Sequence, residues 1–205
     1  MTEPNGARMG VSKPLPSYGA PVNDSSSTPA IFHERLNLGE ARLYIATAAM
    51  VAGNLLLPFA LHQIPDAGRM FLPIFFFTLV AGWRFGAQAA VLTAVLSPLA
   101  NHFITGMPPT PMLQEIILQS ALLGALAALA AGRFKKPTLA VLTLVVLANQ
   151  ALVLFPTMLH AGWQPCLDAL KFRLPGLLLQ ILGGFSVLWL MGRYLPQAGE
   201  TTREA

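Results

Sequence analysis

Charged and histidine side chains break this chain into apolar stretches. Arg42 and His62 bracket 43–61, and Arg69 and Arg84 bracket 70–83. Arg84 and Glu115 bracket 85–114, which Pro108-Pro109 interrupts, and Glu115 and Arg133 bracket 116–132. Lys136 and His160 bracket 137–159, and Arg173 and Arg193 bracket 174–192. A helix that spans a bilayer needs about 20 apolar residues, with roughly 17–25 tolerated. Five stretches meet that length once 85–114 is read as one helix to about Phe103 followed by a loop. The second stretch, 70–83, covers only about two-thirds of the hydrocarbon core at about 1.5 Å per residue. Either Arg69 and Arg84 snorkel to extend it, or it is a bent, partly buried segment. The pattern predicts an all-α integral membrane protein, a bundle of six transmembrane helices.

Residues 1–34 have a different character. They hold Pro4, Pro14, Pro16, Pro21 and Pro29 and the run Ser25-Ser26-Ser27. They lack the apolar core of a secretory signal, and their composition predicts a disordered tail. The predicted division is a tail over 1–34, a membrane domain over 35–196 and a short tail over 197–205. Lys and Arg near helix ends set the orientation. One side carries Arg35, Arg42, Arg84, Arg133, Lys135, Lys136 and Arg193; the other carries Arg69, Lys171 and Arg173. Seven against three predicts a plasma-membrane protein with both termini in the cytoplasm. The outer loops then lie near 62–70, 104–111 and 160–172.

Composition narrows the class further. Hydrophobic residues make up 54% of the 205 positions and charged residues 11%. The mean hydropathy is +0.57. That is too little polar surface for an ordinary cytosolic enzyme. The net charge of +4 reads as cytoplasmic loop charge in a membrane protein, not as a nucleic-acid footprint. The single cysteine, Cys166, excludes a disulfide framework and a multi-cysteine zinc site. HExxH, GxSxG and P-loop motifs are all missing, so no hydrolase or ATPase chemistry is supported. No cofactor or metal is implied.

Polar side chains inside a bilayer are costly and face a cavity or a partner helix. The third helix carries Thr93, Ser97 and Asn101 at four-residue steps, near one face, and then His102. The fourth opens with Gln114, Glu115 and Gln119. The fifth holds Asn149 and Gln150 near its middle. The sixth presents Arg173, Gly176, Gln180 and Gly183 as one stripe. Strongly polar groups thus run from mid-membrane outward, while the inner halves hold little beyond Gln88, Thr143 and Ser186. A channel needs polar groups along its whole length. This pattern predicts a bowl open to the outside and closed below by apolar packing. Arg69 and Arg173 suit bidentate capture of a carboxylate or phosphate, or else snorkel to headgroups. Asn101, His102, Glu115, Gln119, Gln150 and Gln180 are candidate hydrogen-bonding contacts for a ligand. Plainer roles stand beside these: Glu115 complements a helix N-terminus, and Asn149 and Gln150 bond neighbouring helices at roughly 1 kcal/mol or less each. On the first helix, Ala48 with Ala52 and Ala49 with Gly53 form small-xxx-small pairs. Such a face either packs within the bundle or docks on another membrane protein.

Three segments carry a family resemblance. Gly68-Arg69-Met70-Phe71-Leu72-Pro73 followed by a short apolar helix to Gly82 resembles the second-helix region of S components of energy-coupling-factor (ECF) transporters. So do Thr93-Ala94-Val95-Leu96-Ser97-Pro98-Leu99, the following Thr105-Gly106-Met107-Pro108-Pro109, and the approach to helix six, Arg173-Leu174-Pro175-Gly176. The resemblance covers roughly residues 40–194 and leaves the 34-residue tail outside. It implies a six-helix membrane subunit that binds a vitamin or related micronutrient from outside. It also implies that Ala48 and Ala52 contact a transmembrane coupling subunit, with two ATPase subunits driving import. The expected function is therefore binding and import, not catalysis. Two rivals are a ligand-free scaffolding protein of the cell envelope and a membrane enzyme acting on a lipid through Glu115 and His102.

Overall fold

The computed structural model describes residues 33–60, 73–134 and 136–194, and every regular element among them is helical. Helix α1 spans Ala41–Ala60. A short 3-10 turn, Pro73–Phe75, leads into α2, Phe76–Phe85. Then come α3, Ala87–Thr105, α4, Thr110–Phe134, and α5, Leu139–Ala161. The last helix, α6, runs Trp163–Tyr194 with a π-helical turn at Leu179–Gly183. Helices α3 to α6 are long and apolar enough to cross a membrane. Exposed Leu96, Leu118, Leu129, Leu144, Leu152 and Leu182 cover their outer faces, as expected where lipid tails are the solvent.

The shortest helix is the most enclosed. Within α2 every residue from Thr78 to Arg84 is buried. It packs against α1, α3, α4 and the C-terminal part of α6. Small residues on its neighbours allow this approach. A Cβ on Gly53 of α1 would lie 2.7 Å from the Phe77 ring, and one on Gly184 of α6 would lie 2.7 Å from Leu79 Cδ2. A Cβ on Gly82 would strike the Gly124 carbonyl of α4, and a Cβ on Gly124 would lie 2.7 Å from Ala90 Cβ. Close backbone contact of this kind replaces the hydrophobic drive that lipid removes. A segment too short to span the bilayer alone thus becomes the centre of the packing.

A strap closes one end of α2. The His33 Nδ1–H donates to the Trp83 carbonyl at 2.6 Å. The Glu34 and Leu36 amides donate to the carbonyls of Arg84 and Phe85 at 2.7 and 3.1 Å. These carbonyls end a helix and have no intrahelical partner. Leu36 is buried beneath the strap. Glu34 bonds Arg42 at 2.8 Å and faces Arg84 at 3.9 Å. Arg84, which the sequence presents as a loop charge at a segment boundary, is therefore only 2% exposed. We call this end, where the chain enters α1, the near end, and the opposite one the far end. His33 and Glu34 close the stretch predicted as a tail. The rest of that stretch, residues 61–72 with His62 and Arg69, Lys135 and residues 195–205 lie outside the described residues.

Candidate functional site

Two sets of buried polar side chains occupy the bundle. The first joins α1, α2, α3 and α4. Asn54 Nδ2 donates to Ser97 Oγ at 2.9 Å and to Thr78 Oγ1 at 3.4 Å. Asn54 Oδ1 accepts from the Phe77 amide at 3.0 Å. Ser120 Oγ donates to Thr78 Oγ1 at 3.1 Å, and the Thr78 hydroxyl donates to the Ile74 carbonyl at 3.4 Å. Each hydroxyl and the Asn54 carboxamide has partners, so this set ties four helices together and leaves nothing for a ligand. Of its members the sequence reading singled out only Ser97. An asparagine midway along the apolar stretch 43–61 was the available signal for Asn54.

The second set joins α4, α5 and α6, and it is open. Among the described residues, Gln119 Nε2, Asn149 Oδ1, both polar atoms of Gln150 and both of Gln180 are buried without a hydrogen-bond partner. Arg173 Nη1 is buried and unpartnered as well. A buried polar group left unpaired costs about 1–3 kcal/mol, so a concentration of them needs a reason. Their position supplies one. On α4 the buried residues begin at Gln119, nine residues after Thr110. On α5 they end at Gln150, eleven residues before Ala161. The far-end portions of both helices carry no fully buried residue. Gln119 and Gln150 therefore stand at the boundary where tight packing of α4 and α5 begins.

Helix α2 relates the heights of two of the glutamines. Thr78 bonds Ser120, and Phe76 meets the Gly183 position. These α2 residues are two apart, and Gln119 and Gln180 lie one and three residues farther toward the far end, which sets Gln180 about 6 Å, one helical turn, farther out than Gln119. Helix α5 packs against α4 on one side and against the π turn of α6 on the other. The π turn itself contains Gln180. It inserts an extra residue, so the fully buried positions run on through Gly184, Leu188 and Gly192, not through Gly183 as a regular α-helix predicts. Single π turns of this kind concentrate at functional sites.

The remaining predicted site residues divide. Glu115 is exposed, one turn of α4 above Gln119. Glu115 thus lies about 6 Å farther out than Gln119, at four residues and about 1.5 Å each, and Arg173 lies about 10 Å farther out than Gln180, at seven residues. Asn101 Nδ2 donates to the Met107 carbonyl at 2.8 Å, and the His102 Nδ1–H donates to the Pro108 carbonyl at 2.7 Å. Both are engaged in shaping the α3–α4 turn. Arg69 lies outside the described residues. On α1, Ala48, Ala49 and Ala52 are exposed, while Gly53 packs on Phe77. Unpartnered buried atoms also occur elsewhere: the hydroxyls of Thr47 on α1 and Thr93 on α3, and nitrogens of His33, Trp83 and Arg84 at the near end, where Glu34 supplies the countercharge.

The chain matches no protein-family model, no curated protein and no solved structure.

Chemically, the open set is rich in carboxamides. For Gln150 and Gln180, one donor group and one acceptor are unpartnered whichever way each amide is turned. Among the described residues, no three histidine, cysteine or acidic side chains cluster as metal ligands do. The arrangement is suited to holding a molecule by hydrogen bonds.

Proposed function

We propose that this protein is the substrate-binding membrane subunit, or S component, of an ECF-type importer, and that it binds a vitamin or related micronutrient. In this reading all six helices span the plasma membrane. The termini and the strap lie in the cytoplasm, and the far end opens to the outside. One observation carries the binding role: unpartnered buried carboxamides on α4, α5 and α6, which on α4 and α5 stand where tight packing begins. Gln119, Gln150, Gln180 and Arg173 are the proposed ligand contacts, with Asn149 added to the set that the sequence suggested. Asn101 and His102 contribute by holding the turn that borders the opening.

The partner reading rests on α1. The exposed Ala48, Ala49 and Ala52 offer the close-packing face that a transmembrane coupling subunit needs. Two ATPase subunits supply the energy for import, since this chain has no nucleotide-binding motif. Substitution Ala52→Leu is expected to reduce uptake in cells while leaving ligand affinity of the purified chain unchanged.

The direct test of binding is native purification in mild detergent, with mass spectrometry of what denaturation releases, and a thermal-shift panel of vitamins. A stoichiometric compound, or stabilisation by several degrees, is the expected result. An empty protein that no compound stabilises would favour a scaffolding role instead.

A further inference from the structure

We infer that the site reads its ligand chiefly through an uncharged, amide-like edge that both donates and accepts hydrogen bonds, and that acidic groups of the ligand play the lesser part. This rests on the proposed binding role and narrows it to a chemical class: cyclic ureides, lactams and pyrimidine-dione-type rings, or larger molecules carrying such an edge.

The balance of unpartnered atoms carries the inference. Gln150 and Gln180 each leave a carboxamide NH2 and a carboxamide oxygen unsatisfied. Gln119 adds a donor and Asn149 an acceptor. A phosphate or dicarboxylate only accepts, so it would leave the carboxamide oxygens unpaired and buried. A polyamine only donates, and would leave the NH2 groups unpaired. Sites built to bond both kinds of group reject analogues lacking one of them, because the orphaned partner keeps its desolvation cost. Flat N–H and C=O pairs complement a carboxamide on both counts.

Charge points the same way. The cation among these side chains is Arg173, and the acidic Glu115 stands one turn of α4 outward of Gln119. An anionic ligand would gain one guanidinium and meet one carboxylate. A ligand entering amide-first places its neutral edge against the glutamines. Any acidic tail then sits farther out, toward Arg173.

The test uses the purified full-length chain in detergent, followed by thermal shift and calorimetry. The probes are a pyrimidine-2,4-dione, a cyclic ureide and a bicyclic lactam, each beside its N-methylated counterpart, with inorganic phosphate and a short aliphatic dicarboxylate as anionic probes. At least one amide-type probe should bind. Its N-methylated form should bind tenfold or more weakly, as should the parent probe to Gln150→Leu and Gln180→Leu. Failure of every amide-type probe, or anion binding that the glutamine substitutions leave intact, overturns the assigned class. The melting temperature of ligand-free Gln150→Leu separates that failure from a deeper one. A rise keeps the site as a binding site of another chemistry. A fall makes the carboxamide a structural bond, and the binding reading fails with it.

Discussion

Asn54 and Gln150 are both buried carboxamides in apolar helices, and they lead opposite lives. Asn54 sits where four helices meet around the short α2, and three hydrogen bonds engage its side chain. Gln150 sits where α5 stops being tightly packed, and neither of its polar atoms has a partner. The difference separates two kinds of buried polarity within one helical bundle. Hydropathy treats the two residues alike. Burial alone does too, since both are 2% exposed or less. Hydrogen-bond completeness divides them: the closed set bonds across four helices, and the open set has no partner among the described residues.

Substitutions sharpen this contrast, beginning with the largest effect. Asn54→Leu removes three bonds and strands the Phe77 amide, at about 1–3 kcal/mol for the orphaned group plus about 1 kcal/mol for each lost bond. Thermal denaturation in detergent should show a drop of many degrees. An unchanged melting temperature would mean that the network holds little. Next comes Gly124→Val, which forces α4 away from Ala90 and Thr78 and should cost about 1–3 kcal/mol by overpacking. Denaturation is again the readout. A stable Gly124→Val variant would argue that α2 is not the packing centre.

Gln150→Leu and Gln180→Leu should behave in the opposite sense to Asn54→Leu. Removing unsatisfied buried atoms should leave stability equal or raise it by up to about 1–2 kcal/mol. Ligand affinity should fall tenfold or more, which is about 1.4 kcal/mol. Parallel losses of stability and binding would merge the two sets into one structural network. The smallest effect is expected from Asn101→Ala. It loses one bond to the Met107 carbonyl, worth about 1 kcal/mol. Ligand affinity should change by less than about threefold, and a larger loss would place Asn101 in the site itself.

Much of the bundle was legible in the chain. Charged and histidine residues marked the apolar stretches, because ionised groups are excluded from hydrocarbon. The resulting segments sit on the six observed helices. The short second segment stood out as anomalous by its length. Four of the eight predicted ligand contacts (Gln119, Gln150, Arg173 and Gln180) carry unpartnered buried atoms, because depth and helical phase could be read from spacing. Asn101 and His102 also had the right depth, but a turn engaged them. Spacing within one helix cannot reveal a bond to a loop carbonyl six residues on. Arg84 misled for a related reason. Its position between two apolar runs reads as a boundary, and only the strap of residues 33–36 turns that boundary into an interior.

Local chemistry thus determined the helices, their approximate ends and the general height of the polar groups, since each depends on a window of neighbouring residues. Which polar groups would be satisfied depended on contacts across helices. Ser97 and Ser120 are 43 and 66 residues from Asn54 in sequence, yet they share its network through direct bonds and through Thr78. The glycines that admit α2 to the centre, and the π turn that carries Gln180, likewise acquired their meaning from what lies against them. Tertiary packing decided which buried carboxamides were partnered, because hydrogen bonds are short and directional and only the assembled bundle brings their two ends together.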